Sequence, residues 1–144
     1  MWETSQRLQW DKKVLDYRVL EEFGDHQILY YLADTPMFIS KRDFVIRRSL
    51  VHDYPAPGCM CIHTTSVLHQ SMPPINGNVR GEVKITGFII RPSEGSRSII
   101  TSIIHSDPKG NLPKSMVNKG VGKNASQWLE VLEGGCRLLS NSNS

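Results

Sequence analysis

Residues 107–139 read DPKGNLPKSMVNKGVGKNASQWLEVLEGGCRLL, and the assignment of the fold starts there. Ahead of Asp107 the apolar residues alternate, or gather in short β-branched runs. Past Pro113 they return every third or fourth position. Val117, Val121, Ala125, Trp128, Leu132, Cys136 and Leu139 follow one another at steps of four, four, three, four, four and three. That is the 3.6-residue period of one helix face. Asp107-Pro108-Lys109-Gly110 breaks the preceding strand, and Pro113 suits a first helical turn, where its missing N–H costs nothing. Gly120, Gly122, Gly134 and Gly135 each cost about 1 kcal/mol relative to alanine inside a helix, so they mark hinges or close approaches. The polar tail 140–144 ends the helix.

Upstream the period is that of strands. Residues 14–20 form one, closed by the turn signal Gly24-Asp25, and 27–33 follow closely enough to make a hairpin. Residues 43–51 and 59–68 are the next two strands. Tyr54-Pro55-Ala56-Pro57-Gly58 must be a loop, because two prolines cannot sit inside a central strand. Residues 71–78 form another loop, unusual in carrying Met72 and Ile75 among its turn residues. Strands 79–91 and 97–107 then flank a turn at 92–96. Ile99 and Ile103 face one way in the last of these, and Ile100 and Ile104 the other, which predicts a strand covered on both sides. The outline is an antiparallel sheet followed by a long amphipathic helix.

Composition bounds the function. The chain has 144 residues, 39% apolar and 22% charged, with a net charge of +3. That is one soluble-type domain, with no run near the roughly 20 apolar residues of a membrane span and no basic stripe for nucleic acid. The N-terminus has no signal-peptide pattern. Cys59, Cys61 and Cys136 are odd in number, and with His63 they lack zinc spacing, which points to a reducing, cytoplasmic setting and no metal. Catalytic signals are missing too. No Gly-x-Ser-x-Gly elbow occurs, Gly120-Val121-Gly122 lacks the strand a phosphate loop needs, and the five histidines lie on strands or beside turns.

Four segments resemble the START family of lipid-transfer domains. They are Leu8-Gln9-Trp10-Asp11 before the first strand, Arg42-Asp43-Phe44-Val45 opening the third, Asn78-Val79-Arg80-Gly81 after the proline-containing loop, and Asp107 to Pro113 leading into the last helix. They occur in the family's order over nearly the whole chain. The resemblance implies an α+β helix-grip fold (START/Bet v 1-like), a curved antiparallel β-sheet packed on a long C-terminal α-helix. Residues 1–139 would be one lipid-binding domain, N-terminally incomplete by the family's first helix and three strands, and 140–144 a tail. An open sheet edge follows, with a possible second chain covering it.

By the same resemblance one lipid (phosphatidylcholine, a sterol or similar) fills an apolar cavity, with no cofactor and no catalysis. The family's cavity arginine falls on Arg80, and the position of its acidic partner on Tyr31, with Asp34 close by. The Tyr31 hydroxyl, a lipid phosphate or carboxylate, or ordered water would then partner Arg80. Phe88, Thr101 and Ile103 are wall residues, and Met116, Val117, Val121, Ala125 and Trp128 the lid face. Met72, Pro73, Pro74 and Ile75 form a membrane-contact and gating loop. The protein would be cytoplasmic, peripheral to membranes, and carry or sense lipid. The alternatives are a helix-grip enzyme of the polyketide cyclase or aromatase type, or a START regulatory module of a larger protein.

Overall fold

The computed structural model describes the backbone of residues 4–95 and 97–142, and side chains at 6–95, 97–113, 115, 117 and 127–140. A short helix, α1 (Thr4–Trp10), leads into seven strands: β1 (Val14–Phe23), β2 (His26–Ala33), β3 (Arg42–His52), β4 (Met60–Ser66), β5 (Val79–Arg80), β6 (Glu82–Pro92) and β7 (Ser98–Asp107). Helix α2 (Lys114–Ser142) follows. It runs beyond Leu139 into the polar tail, and the Ser140 hydroxyl donates back to the Cys136 carbonyl at 3.0 Å. No described helix is long and apolar enough to cross a membrane.

The sheet order is β1-β2-β3-β4-β6-β7, every neighbour antiparallel, with two-residue β5 lying parallel on β3. The strand at 79–91 is therefore two strands, broken at Gly81. A Cβ at Gly81 would run into the Phe44 ring, so only glycine lets β5 lie this close to β3. Gly24, at φ +56°, closes the β1–β2 hairpin as its position implied.

Period-2 alternation sorts the concave face. Tyr31 pairs with Phe44 and their rings stack at 4.7 Å, while Leu29 pairs with Ile46. Ile62 pairs with Phe88, and Phe88 with Ser102. Leu29, Phe44, Ile46 and Val83 form the buried core, with Tyr17, Tyr31 and Ala33 packed on it. α2 meets this face through Trp128, whose ring stacks on Phe88 at 4.9 Å.

Two expectations change. β7 is the sheet's edge and is exposed along nearly its whole length, because no described strand lies beyond it to cover it. Cys136, placed on the buried helix face, is exposed, and Gly135 is buried in its stead. The reason is α1. The Trp10 ring lies where a Gly135 Cβ would stand, 2.8 Å away, so the helix turns its glycine inward to admit the indole. Gly134, by contrast, has open space around it.

Candidate functional site

Between the concave face and α2 lies a cavity of about 210 Å³. The long strands contribute by alternation, with the register shift between Val83 and Ile85 bringing Val83 to the face of Thr86: Tyr17 from β1, Tyr31 from β2, Ile46 and Arg48 from β3, Ile62 and Thr64 from β4, Val83, Thr86 and Phe88 from β6, and Ile104 from β7. Arg7 and Val14 close one side, and Trp128 descends from α2. The lining is mostly apolar and aromatic, with a few converging polar groups, which is the usual composition of a small-molecule site.

Two of those groups are guanidiniums. Arg48 is 6% exposed and donates to the Tyr17 hydroxyl at 3.3 Å and to Gln27 Oε1 at 2.5 Å. Gln27 in turn donates to Glu22 Oε2 at 2.8 Å. Arg7 is held by Asp11, with Nε at 2.9 Å from Oδ2, and it lies 4.6 Å over the Trp10 ring and 5.9 Å from Trp128. That stack joins α1, the cavity wall and α2. Tyr31 keeps its proton: removal from water raises its phenol well above the usual 10, the neighbouring Tyr17 raises it further, and Arg7 lowers it only in part. It therefore offers the cavity a hydroxyl, not a phenolate.

Among the expected residues, Tyr31, Phe88 and Trp128 meet in this cavity. Arg80 does not line it. Its Nε and Nη2 reach Asp43 Oδ1 and Oδ2 at 3.0 and 3.1 Å, and the Asp43 residue is fully buried. Tyr31 is thus not its partner. The parallel β5–β3 ladder, which sets Arg80 beside Asp43, is the cause. Arg80 also donates to the carbonyls of Met72 and Pro73 at 3.2 and 3.1 Å, so the 71–78 loop is clamped to β3 at its start.

Thr101 and Ile103 point to the convex side, Ile103 being 62% exposed, and Ile104 is the β7 side chain in the wall. Phe88 pairs with Ser102, so the even-numbered residues of β7 share its face. Val117 lies with Leu112 and Lys109 against a separate shallow depression. Met116, Val121 and Ala125 have side chains outside those described. In the 71–78 loop Met72 is partly buried, Pro73 and Pro74 are exposed, and Ile75 is 39% exposed. The most exposed apolar side chains lie elsewhere: Met37 at 82% and Phe38 at 99% between β2 and β3, and Leu68 at 97% after β4.

Arg48, Met37 and Phe38 escaped the sequence reading. Arg48 was legible by parity. It stands two and four residues from Ile46 and Phe44 on one strand, so whatever face they share it shares. Met37 and Phe38 had a weaker signal, two large apolar residues next to Thr35-Pro36.

Comparison with known proteins places this geometry. A sequence model described as START domain matches residues 1–137. The human START domain-containing protein 10 is 31% identical over 114 residues, 78% of this chain and 38% of that protein. The bovine StAR-related lipid transfer protein 5 is 31% identical over 133 residues, 88% of this chain and 61% of that protein. The crystal structure of human STARD10 superposes with a TM-score of 0.86 at 27% identity, over 93% of this chain and 54% of that one. The chain thus spans about two fifths of the first of these relatives and about three fifths of the second. With the curved antiparallel sheet gripping α2, these matches establish the helix-grip fold, and the chain belongs to the START domain family.

Proposed function

We propose that this chain binds one lipid between the sheet and α2 and carries it between membranes, or reports its presence, without a catalytic step. The cavity carries the reading: an apolar and aromatic enclosure with a buried guanidinium, Arg48, in its wall. The lipid-transfer name of the bovine relative supports it. A cavity of about 210 Å³ equals roughly seven water volumes at about 30 Å³ each, room for a head group or one end of a chain. Taking up a whole lipid therefore requires α2 to shift away from the sheet.

Arg48 and Tyr31 define the polar end. A guanidinium meets a phosphate through two parallel hydrogen bonds and a sterol hydroxyl through one, so a phospholipid is the favoured cargo and a sterol the second. Arg80 serves the same site indirectly, by clamping the loop that begins at Met72. Membrane contact falls chiefly to Met37 and Phe38. Burying each such side chain in acyl chains gains roughly 1.5–3 kcal/mol. Contact through Met72, Pro73, Pro74 and Ile75 is secondary, because Arg80 restrains that segment. Three cysteines outside any disulfide support a cytoplasmic protein, and the exposed Met37 and Phe38 support its being peripheral to membranes. A second chain, or a further segment of the same protein, covers the exposed β7 edge.

The test is native mass spectrometry of the purified protein, with extraction and identification of bound lipid, before and after incubation with mixed vesicles. The expected result is one lipid per chain, phospholipid in excess over sterol. A chain that stays empty after incubation would defeat the carrier reading.

A further inference from the structure

Two guanidiniums reach the cavity between the sheet and α2, Arg7 from α1 and Arg48 from β3, and both meet the same side chain. Arg48 donates to the Tyr17 hydroxyl at 3.3 Å, and Arg7 lies 5.9 Å from the centre of the Tyr17 ring. The carboxylate that holds Arg7 stays behind it: Asp11 is 4% exposed and is not among the lining residues. No described residue of the lining is an aspartate or a glutamate. Tyr31 adds a protonated hydroxyl and no charge. Along the sequence of α2, from Lys114 to Leu129, there are three lysines and no acidic residue. The aromatic rings are engaged as well. Arg7 lies 4.6 Å over Trp10 and 5.9 Å over Trp128, Tyr31 stacks on Phe44, and Phe88 stacks on Trp128. An ammonium head group is held by a carboxylate or by open aromatic faces. Here a cation of the chain itself already sits against those rings.

We infer that the cavity selects a lipid whose head is anionic and carries no ammonium: phosphatidic acid or phosphatidylglycerol in preference to phosphatidylcholine or phosphatidylethanolamine. The inference deepens, and rests on, the reading that this chain carries one lipid. Two guanidiniums gathered on one tyrosine repel each other, and an anion between them turns that repulsion into charge-assisted contacts. A choline or ethanolamine head would bring a third cation into a site partly removed from water, where like charges repel more strongly than in bulk solvent. Arg48 supplies the hydrogen-bonding fork for the anion. Arg7 supplies the second charge and, by lying against Trp10, Tyr17 and Trp128, denies those rings to an ammonium. The carboxylate of a fatty acid shares the chemistry of the phosphate, and so does inorganic phosphate. Only the lipids also have a chain to lay against Ile46, Ile62 and Phe88.

The whole chain, incubated with vesicles holding equal parts of phosphatidylcholine, phosphatidylethanolamine, phosphatidylglycerol, phosphatidic acid and oleic acid, tests this. Native mass spectrometry with extraction reads which lipid each chain has taken. The expected result is acidic lipid in excess over choline and ethanolamine lipid by about tenfold or more. Arg7→Gln combined with Asp11→Asn removes one cation from the lining without stranding a buried carboxylate, and should move the ratio about tenfold toward phosphatidylcholine. Arg7→Lys keeps the charge and should keep the acidic preference. A variant that merely folds less well lowers every lipid together and leaves the ratio where it was, so the ratio reports selection and the circular dichroism melt reports folding. Oleic acid as the main cargo would support the anion site and assign it to a carboxylate. Bound lipid that inorganic phosphate alone displaces would overturn the inference, because the site would then be built for a bare anion. Choline and ethanolamine lipids taken up in proportion to their share of the vesicle would overturn the selectivity and leave the carrier reading standing. A chain that stays empty would defeat the carrier reading, and the inference with it.

Discussion

Arg48 and Arg80 divide between them what a single arginine was expected to do. One points into the cavity and the other holds a buried carboxylate, and the consequences of replacing them differ accordingly. Arg48→Ala removes charge-assisted hydrogen bonds to a head group, worth about 1.5–3 kcal/mol, so phospholipid affinity should fall roughly ten- to a hundredfold in a vesicle-competition assay. Arg80→Met should leave affinity for a bound lipid nearly intact and instead strand Asp43, which is 0% exposed. Removing one partner of a buried pair costs about 3–5 kcal/mol, read as a drop in urea unfolding midpoint. The double replacement Asp43→Asn with Arg80→Met should recover part of that loss, since no naked charge remains. Tyr31 gives a pH signature. Its folded phenol is raised above the usual 10, so the folded state holds a proton that the unfolded chain releases in alkali. Its contribution is therefore present in full below pH 10 and is lost as pH rises beyond it, so chemical stability should fall more steeply above pH 10 in the wild type than in Tyr31→Phe.

Elements behave as their seams dictate. The α1–α2 seam is set by Gly135 against Trp10 and by Arg7 over the same indole. Gly135→Val would push Trp10 away and loosen Arg7, and overpacking of this kind costs about 1–3 kcal/mol. Thermal denaturation should show it, while Gly134→Ala, with open space around it, should be neutral or slightly stabilising because alanine favours the helix. The loop between β2 and β3 is the opposite case. Met37 and Phe38 stand in water, so replacing both with serine should leave the melting temperature unchanged and weaken vesicle binding about tenfold or more per residue. The same pair of serines at Met72 and Ile75 should have the smaller effect, since the Arg80 clamp keeps that segment's backbone on β3. The turn from β7 into α2 is tied by charge. Lys109 bonds Asp107 and Glu82 and so joins β6 to the end of β7; Lys84, with Lys109 second, holds the Glu82 carboxyl below the usual range, and Lys109 does the same for Asp107.

At the scale of the molecule, alternation and helical period in the amino-acid order were enough to identify the sheet, the order of its elements and the long closing helix. Those periods are local properties, and the START-like segments around Asp43, Arg80 and Asp107 supplied the family. The gripping arrangement and the break of the strand pattern at 92–96 were likewise legible, whereas Tyr31 was expected beside Arg80 and instead lines the cavity with Phe88 and Trp128. What tertiary structure decided was where each strand stands relative to the others. The two apolar faces of β7 read as double burial, yet burial depends on a neighbour, and β7 ends the sheet. Thr101 and Ile103 were assigned inward, but the register of β7 against Phe88 turns them out. Arg80 found Asp43 only because a two-residue parallel ladder, permitted by Gly81, carries it to β3 across thirty-seven positions of chain. Period along the chain fixes which residues share a face. Pairing at long range chooses which face is inside, and no local pattern holds that information.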